Sequence, residues 1–328
     1  MAVPYFKGRL SGQEAYKTGL ILLTAVLLFP TLLPEKFGWL TSFVPLPIFY
    51  YFVILGKKDG TNLIRNAVLL AAAGALLTGS LQVLIFSLVM APLGIIFSNA
   101  VFNRRDPVET AFIGSLIMAL TWILFWSVVG FIHQTNPYAD LLLQLDEGLA
   151  AGLKLYEESA ELKPEALRSV RTAVELLRNY IPKVLPALLM SAVITITWMN
   201  LVLGNWLLKK KDKELTVWSD YIEWKLPESL VWLVISAGIM VFLLPTPIDS
   251  IGLNILIVCI TVYFFQGLAI VASLLNKWSV PMFIRVLIYA LIFIQTYGII
   301  ILSFLGLADV WADFRKLNQS GENPHHSI

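Results

Sequence analysis

The feature that most constrains this chain is a succession of apolar stretches, each long enough to cross a lipid bilayer as a helix. A spanning helix needs about 20 mainly apolar residues. Of the 328 residues, 58% are hydrophobic and only 14% are charged, against about 25% charged in a typical soluble domain. The sequence therefore predicts an all-α integral membrane protein. We count nine candidate spans, at residues 18–34, 40–56, 63–79, 81–102, 110–132, 184–208, 229–246, 251–275 and 282–307.

The number of spans depends on one break in a long apolar run. Residues 67–102 are too many for one ordinary span, and the Thr78-Gly79-Ser80 triplet predicts where the run is interrupted. Basic residues favour the cytoplasmic side of a membrane. With a cytoplasmic N-terminus, the break keeps Arg104 inside, whereas Arg315 and Lys316 fall outside. Eight spans therefore stay open as an alternative to nine, and with them the side of the C-terminus.

Aromatic residues lie near several of the predicted span ends. Tryptophan and tyrosine favour the membrane–water interface, where the ring meets lipid and its polar edge meets water. We therefore expect an interfacial belt made of Trp39, Tyr50, Tyr51, Trp206, Trp218, Trp224, Trp232, Trp278 and Trp311.

Residues 134–183 interrupt the membrane pattern and predict an extramembrane amphipathic αα-hairpin on the outer side. Apolar residues recur there at steps of three and four, which is typical of one face of a helix. Pro164 followed by Glu165 suits the start of the second helix. The two stripes could pack on each other, lie along the bilayer surface, or form a lid or docking surface. They are Leu141, Leu145, Leu149, Leu153 and Tyr156, and Leu167, Val170, Val174, Leu177 and Ile181.

The hairpin divides the chain into parts. We expect a five-helix membrane part over residues 1–133 and the hairpin over 134–183. A four-helix membrane part follows over 184–316, and a disordered tail over 317–328.

Sequence motifs give no sign of an enzyme. HExxH, GxSxG and GxxxxGK[ST] patterns are absent, and Cys259 is the single cysteine. The predicted span centres hold no charged residue, which argues against a proton relay. We therefore predict no catalytic residues, no metal site and no cofactor, and the net charge of +2 gives no reason to expect nucleic acid.

Uncharged polar residues within the spans are the candidates for a binding site. A buried amide in lipid needs a hydrogen-bonding partner. That partner is either a neighbouring helix or a ligand in a shared cavity, and the sequence leaves both interpretations open. The candidate ligand-binding residues are Gln266, Gln295, Tyr297 and Asn254.

The last span is followed by the segment Gly306-Leu-Ala-Asp-Val-Trp-Ala-Asp-Phe-Arg-Lys316. Asp309 and Asp313 share one helical face, where they could hold Mg²⁺ or form a local ion pair with Arg315, and the ion pair is favoured. With Trp311, this segment resembles the C-terminal signature of the YybS-like family of uncharacterised bacterial membrane proteins, and Gln266-Gly267-Leu268 looks similar too. The resemblance implies the bacterial cytoplasmic membrane and a distant likeness to the S-components of energy-coupling-factor transporters.

Two hypotheses of function follow. The first is a non-enzymatic component that binds or transports a small solute, as the resemblance to S-components implies, with transporter coupling subunits as partners. The alternative is a structural or regulatory membrane scaffold that contacts other membrane proteins through the 134–183 hairpin and the Lys-rich 209–225 loop. In both cases membrane lipids are partners, because a run of lysines at a span end attracts anionic lipid.

Overall fold

The computed structural model describes residues 12–158, 164–211 and 217–315, and all regular structure in these ranges is helical. Twelve α-helices follow one another, with short 3₁₀ helices at Gly38–Phe43 and Tyr221–Glu223. The expectation of an all-α protein is confirmed. The α-helices are α1 (Gly12–Leu32), α2 (Pro34–Phe37), α3 (Pro45–Thr78), α4 (Leu81–Leu88), α5 (Ala91–Phe102), α6 (Pro107–His133), α7 (Pro137–Glu158), α8 (Pro164–Lys211), α9 (Leu230–Leu243), α10 (Ile248–Lys277), α11 (Met282–Ile294) and α12 (Thr296–Ala312).

The count of membrane-spanning helices is lower than the nine predicted. Among the described residues, six helical stretches are long and apolar enough to cross a membrane, with α4 and α5 counted as one. A seventh is added if α11 and α12, which are bent by 105° against each other, form one broken span. The predicted seventh span is the 14-residue helix α9, which is shorter than a bilayer requires.

Helix α3 is counted as one span, although it contains a break. Gly56 has φ 79° and ψ 172°, a conformation that side chains disfavour. A Cβ atom on Gly60 would lie 3.0 Å from the Cα atom of Phe52. In a straight helix two positions eight residues apart are separated by about 12 Å along the axis. The chain therefore folds back at Gly56, between the stretches predicted as the second and third spans.

The predicted break at Thr78-Gly79-Ser80 is present. Gly79 adopts a left-handed conformation with φ 69°, and the backbone N–H of Ser80 donates to the carbonyl of Ala75 at 2.9 Å. This is the usual way a helix ends at glycine. The apolar run of 67–102 is divided where the sequence indicated.

Helix α8 begins at Pro164, as predicted, but it does not end at the predicted boundary near residue 183. It continues for 48 residues to Lys211 and includes Pro182 and Pro186. The hairpin region and the following span thus share one helix, because each proline interrupts the backbone hydrogen bonds locally without ending the helix. The predicted tail of 317–328, Lys316 and the hairpin turn at 159–163 lie outside the described residues.

The chain forms two compact units. The first contains the residues up to Thr121, Ala192–Val231 and the residues from Ile260 onward, and the second contains Trp122–Ser191 and Trp232–Cys259. In the first unit, Gly19 of α1 lets the ring of Tyr51 and the side chain of Leu63 approach closely, and Leu63 is completely buried. Small residues at such contacts are typical of helices that pack within a membrane.

Candidate functional site

Helices α10 and α12 cross at unusually short range in the first unit. A Cβ atom on Gly267 would overlap with the carbonyl oxygen of Leu302, and one on Gly306 with that of Tyr263. Nearby, the hydroxyl of Ser303 donates to the carbonyl of Ile260 at 2.8 Å. Glycine and serine therefore bring the two backbones together, and the side chains that flank the crossing can reach one another.

One of these is Gln266, which meets the carboxylate of Asp309. The Gln266 Nε2 donates to Asp309 Oδ2 at 2.9 Å, and Arg315 Nη2 donates to the same oxygen at 2.8 Å. The backbone N–H of Phe314 donates to the other carboxylate oxygen. Only 2% of the Asp309 side chain and 1% of the Arg315 side chain are exposed. The local ion pair favoured from the sequence is thus present and buried, and it includes a third group.

This cluster also holds the segment between α8 and α9. Arg315 Nη1 donates to the carbonyls of Ile222 and Trp224 at 2.8 and 2.9 Å. The Oε1 atom of Gln266 accepts the backbone N–H of Leu226 at 3.2 Å. We call Gln266, Asp309 and Arg315 the polar clamp, because these three side chains bind segment 217–226 to α10 and to the end of α12.

Aromatic rings surround the clamped segment. The Trp198 and Phe265 rings stack with centroids 5.5 Å apart, and Trp224 meets the Trp198 ring edge-on at 5.7 Å. The hydroxyl of Tyr221 donates to the carbonyl of Phe265. Burial raises the pKa of the Tyr221 phenol, so this group stays protonated and remains a donor well above neutral pH. These rings shield the clamp from water.

Two tryptophans of the predicted interfacial belt pack inside the protein. Trp218 and Trp224 are buried, and their indole N–H groups donate to the carbonyls of Arg105 and Ser219 at 2.7 and 3.0 Å. The other predicted belt tryptophans, for example Trp206 and Trp311, have more than half of their surface exposed. The buried and the exposed tryptophans all lie near predicted span ends, so position in the sequence does not distinguish them. The burial of Trp218 and Trp224 depends on the polar clamp.

A small pocket lies against the aromatic cluster. Side chains of α6, α8 and α10 line it, among them Ser115, Trp198 and Phe265. Its volume is about 10 Å³, which is room for about one water molecule. A larger ligand would require the surrounding side chains to move apart.

The structure separates the candidate ligand-binding residues rather than gathering them. Gln266 is buried in the polar clamp, whereas Gln295 lies at the bend between α11 and α12 and is exposed. The Tyr297 side chain is 73% exposed. Asn254 belongs to the second unit, where its amide joins the carbonyl of Lys183 and the N–H of Ala187 at 2.7 and 2.9 Å. Gln266 and Asn254 thus fulfil the helix-contact interpretation, and a shared ligand cavity stays a prediction.

The remaining residues of the C-terminal motif differ in placement. Trp311 points away from the clamp with 69% of its surface exposed. Asp313 has φ 41°, and its N–H closes the end of α12 on the carbonyl of Asp309 at 3.1 Å. This turn returns the chain so that Arg315, six residues after Asp309, can reach its carboxylate. Sequence reasoning missed the carbonyl groups of segment 217–226, which carry no signal in side-chain patterns.

A family model described as a predicted membrane protein matches residues 20–310 of this chain. Comparisons with curated proteins and with solved structures gave no match. The match confirms a membrane-protein family, while the YybS-like name and the likeness to S-components remain hypotheses. The chain belongs to the DUF2232 family of predicted membrane proteins.

Proposed function

We propose that this protein is a non-enzymatic multi-pass membrane scaffold that binds a partner protein through paired helices outside the bilayer. The paired segments are 137–158 of α7 and 164–182 of α8, which we call the arm. The observation that supports this proposal is that the arm is held together by its own ion pairs while it leaves apolar side chains exposed.

Three contacts align the two segments antiparallel within the second unit. The hydroxyl of Tyr138 donates to the carbonyl of Pro182 at 3.2 Å. Further along, Arg178 pairs with Asp146 at 2.6 Å, and Arg171 pairs with Glu157 at 2.8 Å. Exposed ion pairs are weak, with about 0.2–1 kcal/mol each, but they fix the register of the segments.

The apolar side chains of the arm fall into two sets. Leu145 and Leu149 of the predicted stripe are half-buried and Val174 is buried, as expected for stripes that pack on each other. Leu176 and Tyr180 are four residues apart on one face of α8, and both are 53% exposed. Exposed apolar residues in a group mark interaction surfaces, since water contact is unfavourable for them.

The arm is proposed to lie on the outer side of the bacterial cytoplasmic membrane. In α8 the arm is followed by the apolar residues 184–208 and then by Lys209, Lys210 and Lys211. About 25 helical residues extend some 38 Å, which exceeds a hydrocarbon core of about 30 Å. Lysines favour the cytoplasm, so the arm would be outside. The N-terminus is proposed to be cytoplasmic, which requires the chain on either side of the break at Gly56 to cross the bilayer separately, so that five crossings precede the arm. The side of the C-terminus depends on the number of spans after the arm.

Photo-crosslinking in the native membrane tests the scaffold. A photoreactive amino acid at position 176 should give one protein adduct of defined mass, and the adduct should be lost when Tyr180→Asp is added. The same group at Arg168, which is exposed on the same helix, serves as the matched control and should give much less of it. Adducts with lipid alone, or equal adducts at both positions, would refute the proposal.

The second candidate is a small-solute binding component of the S-component type. It is favoured by the lining of the pocket beside Trp198 and Phe265, since aromatic walls with one hydroxyl, here Ser115, would suit an amphipathic molecule once the side chains move apart to admit it. Native mass spectrometry of the purified protein should then show a small-molecule adduct that Trp198→Ala removes and Trp206→Ala retains. Trp206 is an exposed tryptophan of the same helix, so equal loss in both variants would contradict a specific site.

A further inference from the structure

Three basic segments of the first unit meet at one end of its helices. The Lys57 Nζ lies 5.6 Å from the centre of the Phe102 ring, and Phe102 is two residues before Arg104 in the chain. The Lys211 Nζ lies 5.8 Å from the centre of the Tyr50 ring. Tyr50 belongs to the part of α3 that precedes the break at Gly56. These contacts gather the end of α8, the end of α5 and the break in α3. We call the six cations there the basic rim: Lys57, Lys58, Arg104, Arg105, Lys210 and Lys211.

A buried tryptophan fixes this arrangement. The Trp218 ring packs against Phe49 with centroids 5.8 Å apart, and its indole N–H donates to the carbonyl of Arg105 at 2.7 Å. The backbone of this turn is held further by the N–H of Arg105, which donates to the carbonyl of Ala100 at 2.9 Å. The basic rim is therefore carried by a defined backbone.

In the part of the chain that the structure describes, no neighbouring acid neutralises the charges of the basic rim. Asp220 pairs with Lys209 at 2.6 Å, and Asp106 accepts the backbone N–H groups of Val108 and Glu109 as the cap of α6. Within the ranges that the structure describes, no cation of the basic rim has a carboxylate within salt-bridge distance. Asp59, Asp106 and Asp212, the acidic residues next to the rim in sequence, are fewer than its six cations. An anion from outside the chain can neutralise the cations of the basic rim.

The aromatic partners indicate the depth at which this anion lies. The Lys210 Nζ is 5.0 Å from the centre of the Trp206 ring, which is 54% exposed. Tryptophan rings occupy the interface of a bilayer, and lysines extend from there toward the phosphate level. The first unit also contains apolar helices of spanning length, so its cations border lipid head groups.

We infer that the basic rim is a binding site for anionic phospholipids. The lipid phosphodiester is recognised by the guanidinium groups of Arg104 and Arg105 and by the ammonium groups of the lysines, and the acyl chains lie along the apolar helices. Phosphate oxygens accept two parallel hydrogen bonds from an arginine, which favours this pairing over a simple charge layer. The inference is independent of the arm and of the solute pocket.

Native mass spectrometry of the full chain, released from nanodiscs with equal parts phosphatidylglycerol and phosphatidylcholine, tests this site. The protein should retain phosphatidylglycerol selectively. Each cation near an anionic surface contributes about fivefold to affinity. The triple variant Arg104→Gln/Arg105→Gln/Lys211→Gln should therefore bind phosphatidylglycerol about 100-fold more weakly.

The matched control removes three charges elsewhere, with Lys36→Gln/Lys154→Gln/Arg168→Gln, and should retain the lipid as the wild type does. Arg104→Lys/Arg105→Lys, which keeps the charge, should bind with intermediate affinity and guards against misfolding of the triple variant. Equal retention of the two lipids, or an unchanged triple variant, would overturn the inference. Displacement of the lipid by millimolar inorganic phosphate would overturn it too, because the site would then recognise a soluble anion.

Discussion

Replacing Asp309 by asparagine tests whether the polar clamp holds segment 217–226 in place. The substitution keeps the size of the side chain and removes its charge. Arg315 then remains buried, with the carbonyls of Ile222 and Trp224 as acceptors but without its carboxylate. Gln266 loses a charged acceptor for its Nε2 at the same time.

The size of the expected effect follows from the burial of the Asp309–Arg315 ion pair. Removing one partner of a buried ion pair costs about 3–5 kcal/mol, because an uncompensated charge is left away from water. We expect about 3 kcal/mol, the lower end, since the two carbonyls still accept from Arg315. Every 1.4 kcal/mol is a factor of ten. Local opening of segment 217–226 should therefore become roughly 100-fold more frequent.

Hydrogen exchange measures this opening directly. The N–H of Leu226 donates to Gln266 Oε1, and the N–H of Trp224 to the carbonyl of Tyr221. Both are protected while the segment is docked. In detergent solution, peptides that cover 221–226 should exchange about 100-fold faster in Asp309→Asn than in the wild type.

The matched control is Asp313→Asn, four residues later, directly after the end of α12. Asp313 is half-buried and has φ 41°, a left-handed conformation that asparagine also accepts. Exchange in segment 217–226 should stay within about threefold of the wild type. If Asp309→Asn leaves the exchange of 221–226 unchanged while the helices stay folded, the polar clamp does not hold the segment.

Three further predictions concern the packing around this site, each measured by thermal unfolding in detergent. Gly267→Ala should lower the unfolding temperature strongly, because the added Cβ overlaps with the backbone of α12. Gly238→Ala, with nothing within 4 Å of its Cβ, should be neutral or stabilising. Equal effects of the two variants would contradict the close crossing of α10 and α12. Gly79→Ala should lower the free energy of unfolding by about 1–2 kcal/mol because φ is 69°, while Gly38→Ala, at φ −52°, should leave it unchanged. A Gly79→Ala variant of unchanged stability would mean that the break forms without a left-handed residue. Burial raises the pKa of Tyr221 above its usual value of 10, so the tyrosine ionises first in the unfolded chain and the wild type should lose stability as the pH rises above 10. Tyr221→Phe should lose less stability over that range. Identical pH profiles of the two proteins would refute a raised pKa of Tyr221.

Much of the fold could be predicted from local sequence. Apolar runs of spanning length predicted the membrane helices, because lipid requires every backbone group to be satisfied within the helix. Pro164 marked a helix start and Gly79 a helix end, since both residues have backbone preferences that act without neighbours. The Asp309–Arg315 pair was also favoured from the sequence alone.

The number of spans could not be predicted, because it depends on how consecutive helices join. The chain folds back at Gly56, between two apolar stretches of one α3 helix, and α8 continues through Pro182, although proline and glycine both permit either outcome. Packing against the rest of the unit decides between them. The 105° bend between α11 and α12 likewise has no local marker as strong as a proline.

The sequence by itself determined that this protein resides in a lipid bilayer, because its excess of apolar residues suits only that environment. Tertiary structure alone decided which polar residues form a site. Gln266 precedes the Asp309–Arg315 pair by more than 40 residues, and it meets the pair because Gly267 and Gly306 let two helices touch. Trp218 and Trp224 were expected at the interface, and they are buried because they lie in the segment that this clamp holds. A buried charge needs partners from several segments at once, and that requirement is met only when the helices have packed.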